Sequence, residues 1–423
     1  MRPVLTVSFL IAALAWWRGE VAKNCILIKS DFPTGYYAEG AYEDTCQTVK
    51  AEGMKFCEDA TFWEFKDSTT NDVLQRNVLL SCDPGRQEWN TVMGPLLDPE
   101  PHGSLWLYNP ASSASTAERI TLEGYPAKHD FHPLGIEIYP SFNGNASNLF
   151  VVNHARARTT IEQFTLSPTS PLKASYVRTI TSPYFISPNS IALTSPTSFY
   201  VTNDHLFTRR LPFPFAPVLP TAETMLGLPL SWVGHVSLDD ASGELEHTFS
   251  KLGVAFANGV SISPDGKVVA VAATGANAIG FYKQNEATKT LEHTHNVPVP
   301  FSPDNIAFTE DGDLVVAGHP HFLSLVKVAK KKSTTTPSWV VSISRREIEA
   351  EAAPFTIKDD LKAPVPVSSK VSSVASHQVR TLFQSDGAGF GSSTSGLVDS
   401  LTGKLFVTGL YEKGLLVCNP GPQ

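Results

Sequence analysis

A strand–turn–strand module recurs along the middle of the chain and constrains its fold more than any other feature. Each copy opens with a polar or small residue, continues into an apolar strand, turns at Ser, Pro, Asp or Gly, and closes with a second apolar strand. The copies begin near Leu134 and at Asn189, Asn258 and Asn305, the first being the weakest. The turn glycines Gly266 and Gly312 are 46 residues apart, and Asn153 and Asn203 are 50 residues apart. Repeats of about 40 to 50 residues built from short strands are typical of a β-propeller.

The repeat predicts an all-β fold, a six-bladed β-propeller with a central channel, in which residues 21–423 form a single domain; the calcium-binding character of that channel is argued below from its side chains. Two stretches do not match a blade. The proline-rich stretch from Leu211 to Pro229 is expected to be either a lid over the channel or a packed loop. Residues 330–378 resemble a surface excursion. A β-sandwich whose strands are evenly spaced by chance is the alternative fold.

The charge balance argues against a polyanionic partner. The chain has 33 Lys and Arg against 41 Asp and Glu, a formal net charge of −8, so the basic surface that nucleic-acid binding requires is not indicated. A hydrophobic content of 42% supplies enough apolar side chains for a large core and excludes wholesale disorder.

The N-terminal segment and the cysteines indicate the secretory pathway. Residues 1–20 contain a 14-residue run from Val4 to Trp17 that is apolar but for Thr6 and Ser8, and we interpret them as a signal peptide or an N-terminal anchor that associates with a membrane. A buried N-terminal helix is the alternative. We therefore expect an extracellular or membrane-associated protein. Asn145 begins an N-glycosylation sequon, which has meaning in such a protein. Five cysteines without a C-x-x-C motif favour disulfides, with one cysteine left unpaired or paired between chains.

Oxygen-bearing side chains recur where the modules begin. In a propeller the innermost strands line the channel, so equivalent positions of successive blades face a common axis. These positions, with a carboxylate pair that precedes another apolar segment, are Glu58, Asp59, Asn189, Asn258, Asp304 and Asn305. A set of carboxylate and amide oxygens selects a hard cation, and calcium is the natural candidate. Taken one at a time, each Asn is also compatible with an ordinary turn.

At this point the sequence resembles the paraoxonase and arylesterase family, a group of secreted six-bladed propeller hydrolases. The motifs that carry the resemblance, in order along most of the chain, are Cys57-Glu58-Asp59, Leu149 to His154, Phe199 to His205, Phe256 to Gly259 with Ser263 to Gly266, and Asp304-Asn305-Ile306 with Gly318-His319-Pro320.

The resemblance implies two calcium ions in the channel. A catalytic ion would be held by Glu58, Asn189, Asn258, Asp304 and Asn305. A structural ion would be held by Asp59 and the backbone carbonyl of Ile136. Ser190 stands where the family has an Asp, so the second ion is expected to bind more weakly. The resemblance also implies a ring-closing disulfide between Cys25 and Cys418, and leaves the pairing of Cys46, Cys57 and Cys82 open.

The proton-transfer residues depart from the family pattern. The family shows Phe-x-Pro-His-Gly, whereas here Leu134 occupies the place of the catalytic His, although its partner is retained as His154. His132 lies two positions away and is a candidate substitute because residues two apart in a strand share a face. The alternative is that His132 only packs beside a site without its base. His205 and His319 match family positions near the channel, and Asp304 is a further candidate proton acceptor.

The function that the resemblance implies is a calcium-dependent hydrolase of small ester or lactone substrates, of the arylesterase or lactonase type. Such an enzyme polarises the substrate carbonyl with the metal and activates a water molecule. Leu134 is expected to reduce this activity, and it leaves open a non-catalytic, calcium-stabilised propeller that binds a ligand or partner. A propeller of the gluconolactonase or strictosidine-synthase type is a third hypothesis. A serine hydrolase is disfavoured because the Gly/Ser run from Gly391 to Gly396 lacks nucleophile-elbow spacing.

Overall fold

The computed structural model of the 423-residue chain describes residues 2–28, 32, 36–38, 46–97, 102–112, 116–239, 244–345 and 376–419. Its α-helices are α1 (Arg2–Val21), α2 (Phe215–Met225) and α3 (Phe322–Ala329). The first strands are β1 (Tyr36–Ala38), β2 (Cys46–Val49), β3 (Cys57–Lys66), β4 (Val73–Cys82), β5 (Ser104–Tyr108), β6 (Glu118–Arg119), β7 (Thr121–Glu123), β8 (Pro133–Ile138) and β9 (Ser141–Phe142). The middle strands are β10 (Ser147–Asn153), β11 (Thr160–Ser167), β12 (Ser170–Ile180), β13 (Pro188–Ser195), β14 (Ser198–Asn203), β15 (Ser231–Leu238), β16 (Leu245–Val254), β17 (Ala257–Ile262) and β18 (Val268–Ala273). The last strands are β19 (Ala278–Gln284), β20 (Leu291–Pro298), β21 (Ser302–Phe308), β22 (Leu314–His319), β23 (Ser338–Arg345), β24 (His377–Ser385), β25 (Ser393–Val398), β26 (Leu405–Gly409) and β27 (Leu415–Cys418).

The described strands form six small sheets arranged as the blades of a propeller, which confirms the predicted fold. Blade 1 contains β3–β6 and β9, blade 2 contains β7, β8 and β10–β12, blade 3 contains β13–β16, blade 4 contains β17–β20, blade 5 contains β1 and β21–β24, and blade 6 contains β2 and β25–β27. The innermost strands, β3, β8, β13, β17, β21 and β25, contact one another in a closed ring. Apolar side chains of neighbouring blades pack against each other, with Trp63 and Trp339 fully buried.

The ring closes in blade 6, where the early strand β2 pairs antiparallel with the late strand β27. Cys46 lies directly opposite Cys418, and the two form a disulfide across a sequence separation of 372 residues. The expected Cys25–Cys418 bridge is therefore wrong, because the strand register and not the order of cysteines selects the partner. Cys25 is free and buried.

A second disulfide joins the inner strand β3 to β4. Cys57 and Cys82 lie opposite each other at the channel end of the two strands and are bonded. Each cysteine directly precedes a polar residue of the channel, Glu58 and Asp83 respectively. The bridge thus holds these two carboxylates at a fixed place beside the axis.

The segments outside the repeat differ from the expectation in detail. The stretch from Leu211 to Pro229 contains α2, which includes Pro220. Ser338–Arg345, which we expected in a surface excursion, instead form strand β23 between β22 and β24. The rest of the predicted excursion, residues 346–375, lies outside the described residues.

The N-terminal segment forms α1, whose last turns contact the channel face. Arg18 Nε donates to the Leu226 carbonyl at 2.8 Å, and the following π-helical turn buries Ile26 against α3 and its neighbours. Phe9, Trp16 and Trp17 of α1 are exposed. Among the described helices, none is both long and apolar enough to cross a membrane. Asn145 is exposed in the turn between β9 and β10, as a glycosylation site requires.

Candidate metal centre

Every innermost strand carries a bulge at the same level of the channel. In blades 2 to 6, two consecutive residues of the inner strand face a single residue of the next strand, and in blade 1 the extra residue is Glu58. The first bulge residues of blades 1 to 6 are Glu58, Leu134, Asn189, Asn258, Asp304 and Thr394. A bulge frees a residue from the ladder and re-aims its side chain. The repeat therefore presents six side chains at one level, of which only Leu134 is apolar.

Two bulge glycines let neighbouring inner strands approach closely at this level. A Cβ on Gly135 would lie 2.1 Å from the Asn189 carbonyl oxygen, and a Cβ on Gly259 would lie 2.7 Å from the Ile306 nitrogen. Any larger residue would push the strands apart, so the narrow channel depends on these glycines.

Four side-chain oxygens of this level are buried but find no hydrogen-bond partner among the described residues. They are Glu58 Oε2, Asn189 Oδ1, Asn258 Oδ1 and Asn305 Oδ1, and we call them the four channel oxygens. A buried polar atom without a partner costs about 1–3 kcal/mol, so four of them in one channel form a set of donors that a cation would satisfy.

The amide nitrogens explain why the oxygens face the channel. Asn189 Nδ2 donates to Asp204 Oδ2 at 3.2 Å. Asn305 Nδ2 donates to the Glu58 carbonyl at 3.1 Å and to Ser395 Oγ at 3.0 Å. With their donors engaged, these amides keep their oxygens free to act as ligands.

The charges of the channel are compatible with a bound cation. Burial, together with the carboxylates of Asp59 and Asp304, raises the pKa of Glu58 well above its usual range, against the opposing effect of Arg86. Within the described ranges, no group of three or more His, Cys, Asp and Glu side chains is arranged to hold a metal. The donors that are present are carboxylate and amide oxygens, which suit calcium and not zinc. The residues predicted for the catalytic ion thus fit that ion.

The side chains at the predicted second-ion site already have hydrogen-bond partners in the protein. Asp59 Oδ1 accepts hydrogen bonds from Ser395 Oγ and the Ala60 N–H, both at 2.8 Å, and its Oδ2 accepts the Ile136 N–H at 3.0 Å. Burial raises the pKa of Asp59 to about 6 in spite of these hydrogen bonds, which lower it. Ser190 Oγ accepts the Val260 N–H at 3.3 Å. Each of these oxygens is satisfied by the protein itself.

A cavity of about 80 Å³ is lined by Glu58, Asn189 and Asn258, which carry three of the four channel oxygens. Two more first bulge residues, Leu134 and Asp304, also line it, together with the apolar side chains of Phe322, Leu325 and Leu410. Sites for drug-sized ligands are typically 300–1,000 Å³. The cavity therefore accepts only a small group unless the lining residues move.

His154 lines this cavity with both ring nitrogens engaged. Its Nε2 lies 2.7 Å from the Pro188 carbonyl oxygen and its Nδ1 lies 2.7 Å from Thr91 Oγ1. Since a carbonyl only accepts, Nε2 carries the proton and Nδ1 accepts the Thr91 hydroxyl. Burial lowers the pKa of His154 to about 4, so the ring is neutral near pH 7.

His132 also lines the cavity and lies between two carboxylates. Its Nδ1 is 2.9 Å from Asp83 Oδ2, and its Nε2 is 3.3 Å from Asp130 Oδ2. Burial lowers the pKa of His132, but the hydrogen bonds and charges of Asp130 and Asp83 outweigh burial and raise that pKa above its usual value. His132 also stacks on Trp89, with ring centroids 5.3 Å apart.

Two further histidines near the channel are paired with aspartates. His319 Nε2 is 2.8 Å from Asp304 Oδ2, and His205 Nδ1 is 3.1 Å from Asp204 Oδ1. His205 Nε2 bonds Thr224 Oγ1 of α2 at 2.7 Å. The cavity thus brings together most of the side chains predicted for the catalytic ion and the candidate histidines. His205 and Asn305 do not line it, although Asn305 contacts Glu58.

Sequence reasoning missed a group of six cavity residues, namely Asp83, Arg86, Trp89, Asn90, Val92 and Met93. They lie on the connection between β4 and β5, outside the repeat, and carry no motif. One signal was available for Asp83, because the pairing of Cys57 with Cys82 places it beside Glu58. Asp130 was also missed, although it stands two positions before His132.

The comparisons with known proteins agree with this geometry. The Arylesterase family model matches residues 94–384, more than half of the chain. Human serum paraoxonase/arylesterase 1 is 34% identical over 196 residues, which are 46% of this chain and 51% of the relative. The mouse protein of the same name is 35% identical over 192 residues, 45% of this chain and 50% of the relative. The chain thus spans about half the length of the curated relatives it matches.

A gluconolactonase from Xanthomonas campestris superposes with a TM-score of 0.44 at 15% identity, over 93% of this chain and 97% of that protein. A likeness of that size carries no argument here. The family model, in contrast, covers five of the six blades in whole or in part, and it accords with the motifs identified above. The chain belongs to the arylesterase family.

Proposed function

We propose that the protein is a calcium-dependent hydrolase of small carboxylic esters and lactones. The four channel oxygens carry this proposal, because they form a set of buried hard donors and three of their residues line one small cavity. The matching family and the serum paraoxonase/arylesterase relatives support the same class of reaction.

One ion would be held by Glu58, Asn189, Asn258, Asp304 and Asn305. Calcium bound there supplies a Lewis acid that polarises the carbonyl oxygen of a substrate. We propose a single ion and not two, since Asp59 and Ser190 are satisfied by the protein's own hydrogen bonds.

The chain's own side chains bind and orient the substrate and exclude water. Leu134, Phe322 and Leu325 give the cavity an apolar wall, and its small volume favours a short acyl group or a small lactone ring. The neutral His154 holds Thr91 and the Pro188 carbonyl in place, and thereby fixes the strand that carries Asn189. Two carboxylate–imidazole pairs face the cavity, Asp304 with His319 and Asp83 with His132.

The test is hydrolysis of phenyl acetate and of γ- and δ-lactones by the purified chain, with calcium and after chelation, together with the melting temperature. Asn258→Ala and Asp304→Ala should abolish turnover and the rise in melting temperature that calcium produces. Asn296→Ala removes an exposed amide far from the channel and should change neither. Chelator-resistant turnover would contradict the proposal. A chelator-sensitive melting temperature without turnover would favour the non-catalytic, calcium-stabilised propeller.

We also propose an extracellular or membrane-associated location. The two disulfides are typical of an oxidising compartment, and α1 exposes Phe9, Trp16 and Trp17, which suit the surface of a membrane. Membrane association is tested by sedimentation with phospholipid vesicles. The unaltered chain should sediment with the vesicles, and the double variant Trp16→Ser, Trp17→Ser should not. A glycosidase-sensitive mass that disappears in Asn145→Gln tests passage through the secretory pathway.

A further inference from the structure

The imidazole of His132 is held in one orientation by its surroundings. Its backbone N–H donates to Asn153 Oδ1 at 2.8 Å, its Nδ1 faces Asp83 Oδ2 at 2.9 Å, and its ring stacks on Trp89 at an interplanar angle of 24°. Only 1% of the residue is exposed. Such immobilisation is what a proton-transfer group needs, because little reorganisation remains to be made during the reaction.

Asp83 is itself fixed by the fold. Its Oδ1 accepts the Gly85 N–H at 2.8 Å, which leaves Oδ2 for His132, and it is 1% exposed. Through the Cys57–Cys82 disulfide the backbone of Asp83 is tied to that of Glu58, a proposed metal ligand. The pair of Asp83 and His132 is therefore placed relative to the ion site by a covalent link and not by packing alone.

The second ring nitrogen is held less firmly. His132 Nε2 is buried and lies 3.3 Å from Asp130 Oδ2, with which it forms an ion pair when the ring is protonated, but it makes no hydrogen bond of good geometry within the described part of the chain. His132 also contributes to the cavity wall beside Leu134. A buried nitrogen without a hydrogen bond in a polar cavity is a place for a water molecule.

The other histidines are less suited to take a proton. His154 donates Nε2–H to the Pro188 carbonyl and accepts the Thr91 hydroxyl at Nδ1, so a proton could enter only by breaking that arrangement. His319 also has a buried ring nitrogen without a hydrogen bond, Nδ1, but its Nε2 is bonded to Asp304, which we assign to the metal, so this ring is held by a ligand and not by a separate carboxylate.

We infer that His132, oriented by Asp83 and flanked by Asp130, is the catalytic residue that transfers the proton in ester hydrolysis, in place of the imidazole that Leu134 lacks. This inference rests on the proposed function. Nε2 of neutral His132 accepts a proton from water as the water oxygen bonds to the carbonyl carbon. The same proton passes to the departing alkoxide oxygen as the C–O bond breaks, which regenerates neutral imidazole and gives one acid and one alcohol.

The charged groups around His132 determine its pH dependence. Asp83 faces Nδ1, Asp130 faces Nε2, His102 contacts the ring edge with centroids 5.3 Å apart, and Arg86 donates to the Pro133 carbonyl at 2.8 Å. The Arg156 N–H donates to Asp130 at 2.7 Å and its guanidinium lies 3.8 Å from that carboxylate. The two carboxylates dominate and favour the protonated ring. In a plot of kcat against pH, turnover should therefore rise along a limb whose midpoint lies above the usual imidazole pKa of about 6.5.

The experiment measures kcat and kcat/KM for phenyl acetate between pH 5 and pH 10 in calcium. His132→Gln should lower kcat about 10²–10⁴-fold and remove the rising limb, while leaving the calcium-induced shift in melting temperature unchanged. Asp130→Asn keeps the base but removes one carboxylate, so it should move the limb to lower pH. Asp83→Asn should lower kcat more than it changes KM. His293→Gln, an exposed histidine far from the cavity, is the matched control and should leave the profile unaltered.

Two results would overturn the inference, and they are distinguishable. If His132→Gln folds, binds calcium and keeps the limb with kcat within threefold of the unaltered chain, His132 only packs in the wall and the proposed function survives. If the unaltered chain shows no chelator-sensitive turnover, the proposed function fails and the inference fails with it. Should His132→Gln not fold, an unshifted limb in Asp130→Asn would by itself refute the assignment.

Discussion

Removal of the Cys46–Cys418 disulfide should destabilise the propeller more than removal of Cys57–Cys82. Both bridges link residues that lie opposite each other in paired strands, but the sequence separations are 372 and 25 residues. In the chain-entropy model a disulfide destabilises the unfolded state in proportion to the logarithm of the loop it closes. That relation gives about 6 kcal/mol for the long loop and about 3.5 kcal/mol for the short one.

The surroundings of the two disulfides allow their effects on the free energy of unfolding to be compared. Without its disulfide, β2 is held to β27 by pairing over only four residues, Cys46 to Val49 against Cys418 to Leu415. Replacement by Ala leaves a deeper void at Cys57 and Cys82, which are fully buried, than at Cys46, which is half-buried. The packing loss therefore works against the predicted order and cannot produce it.

The assay is urea unfolding of the two double-Ala variants at one fixed calcium concentration, followed by tryptophan fluorescence and far-UV circular dichroism. The variant at Cys46 and Cys418 should lose about 2 kcal/mol more free energy of unfolding than the variant at Cys57 and Cys82. An equal or smaller loss would show that closure of the ring depends on strand pairing and blade packing, and would refute the entropic reasoning.

Three further predictions concern the channel. Ser190→Asp adds a carboxylate beside Asp59 and should raise the calcium content from one to two ions per chain by equilibrium dialysis, whereas Ser190→Ala should leave it at one. In the folded state His154 has a pKa of about 4, whereas in the unfolded chain it becomes protonated near pH 6.5. Between these two values the unfolded state binds more protons, so the free energy of unfolding decreases as the pH is lowered. Between pH 7 and pH 5 the unaltered chain should lose about 2 kcal/mol more than His154→Gln in urea unfolding, and equal losses would contradict the neutral assignment. Leu134→Ala enlarges the cavity and should raise kcat/KM for phenyl butyrate relative to phenyl acetate about tenfold, whereas an unchanged ratio would show that Leu134 does not limit the acyl group.

The parts of the fold that repeat could be predicted from the sequence. Asn189 and Asn258 recur because each inner strand must leave its ladder at the bulge, and the same backbone geometry places a side chain toward the axis in every blade. Asp304 was found beside the recurring Asn305, whereas Glu58 was found as part of a carboxylate pair before an apolar segment; the structure places both at the bulge of their inner strands.

The parts that depend on contacts between distant segments could not be predicted. Cys25 was chosen as the partner of Cys418, but the pairing is decided by the register of the short strand β2, which carries little sequence signal. Asp83 and Asp130 meet at His132 from two separate connections, and no spacing in the sequence relates them. Strand β23 was missed because the Lys-rich turn before it suggested a surface excursion.

The seam in blade 6 also bears on how the chain is made. Strand β2 emerges from the ribosome early and must wait for its partner β27, which is synthesised more than 360 residues later. Until then β2, the outer strand of blade 6, has no partner strand and is an unpaired edge that is open to other chains. The nascent protein is therefore an incomplete ring for almost the whole of its synthesis, and factors that bind exposed strands or delay oxidation of Cys46 should affect its yield more than its final stability.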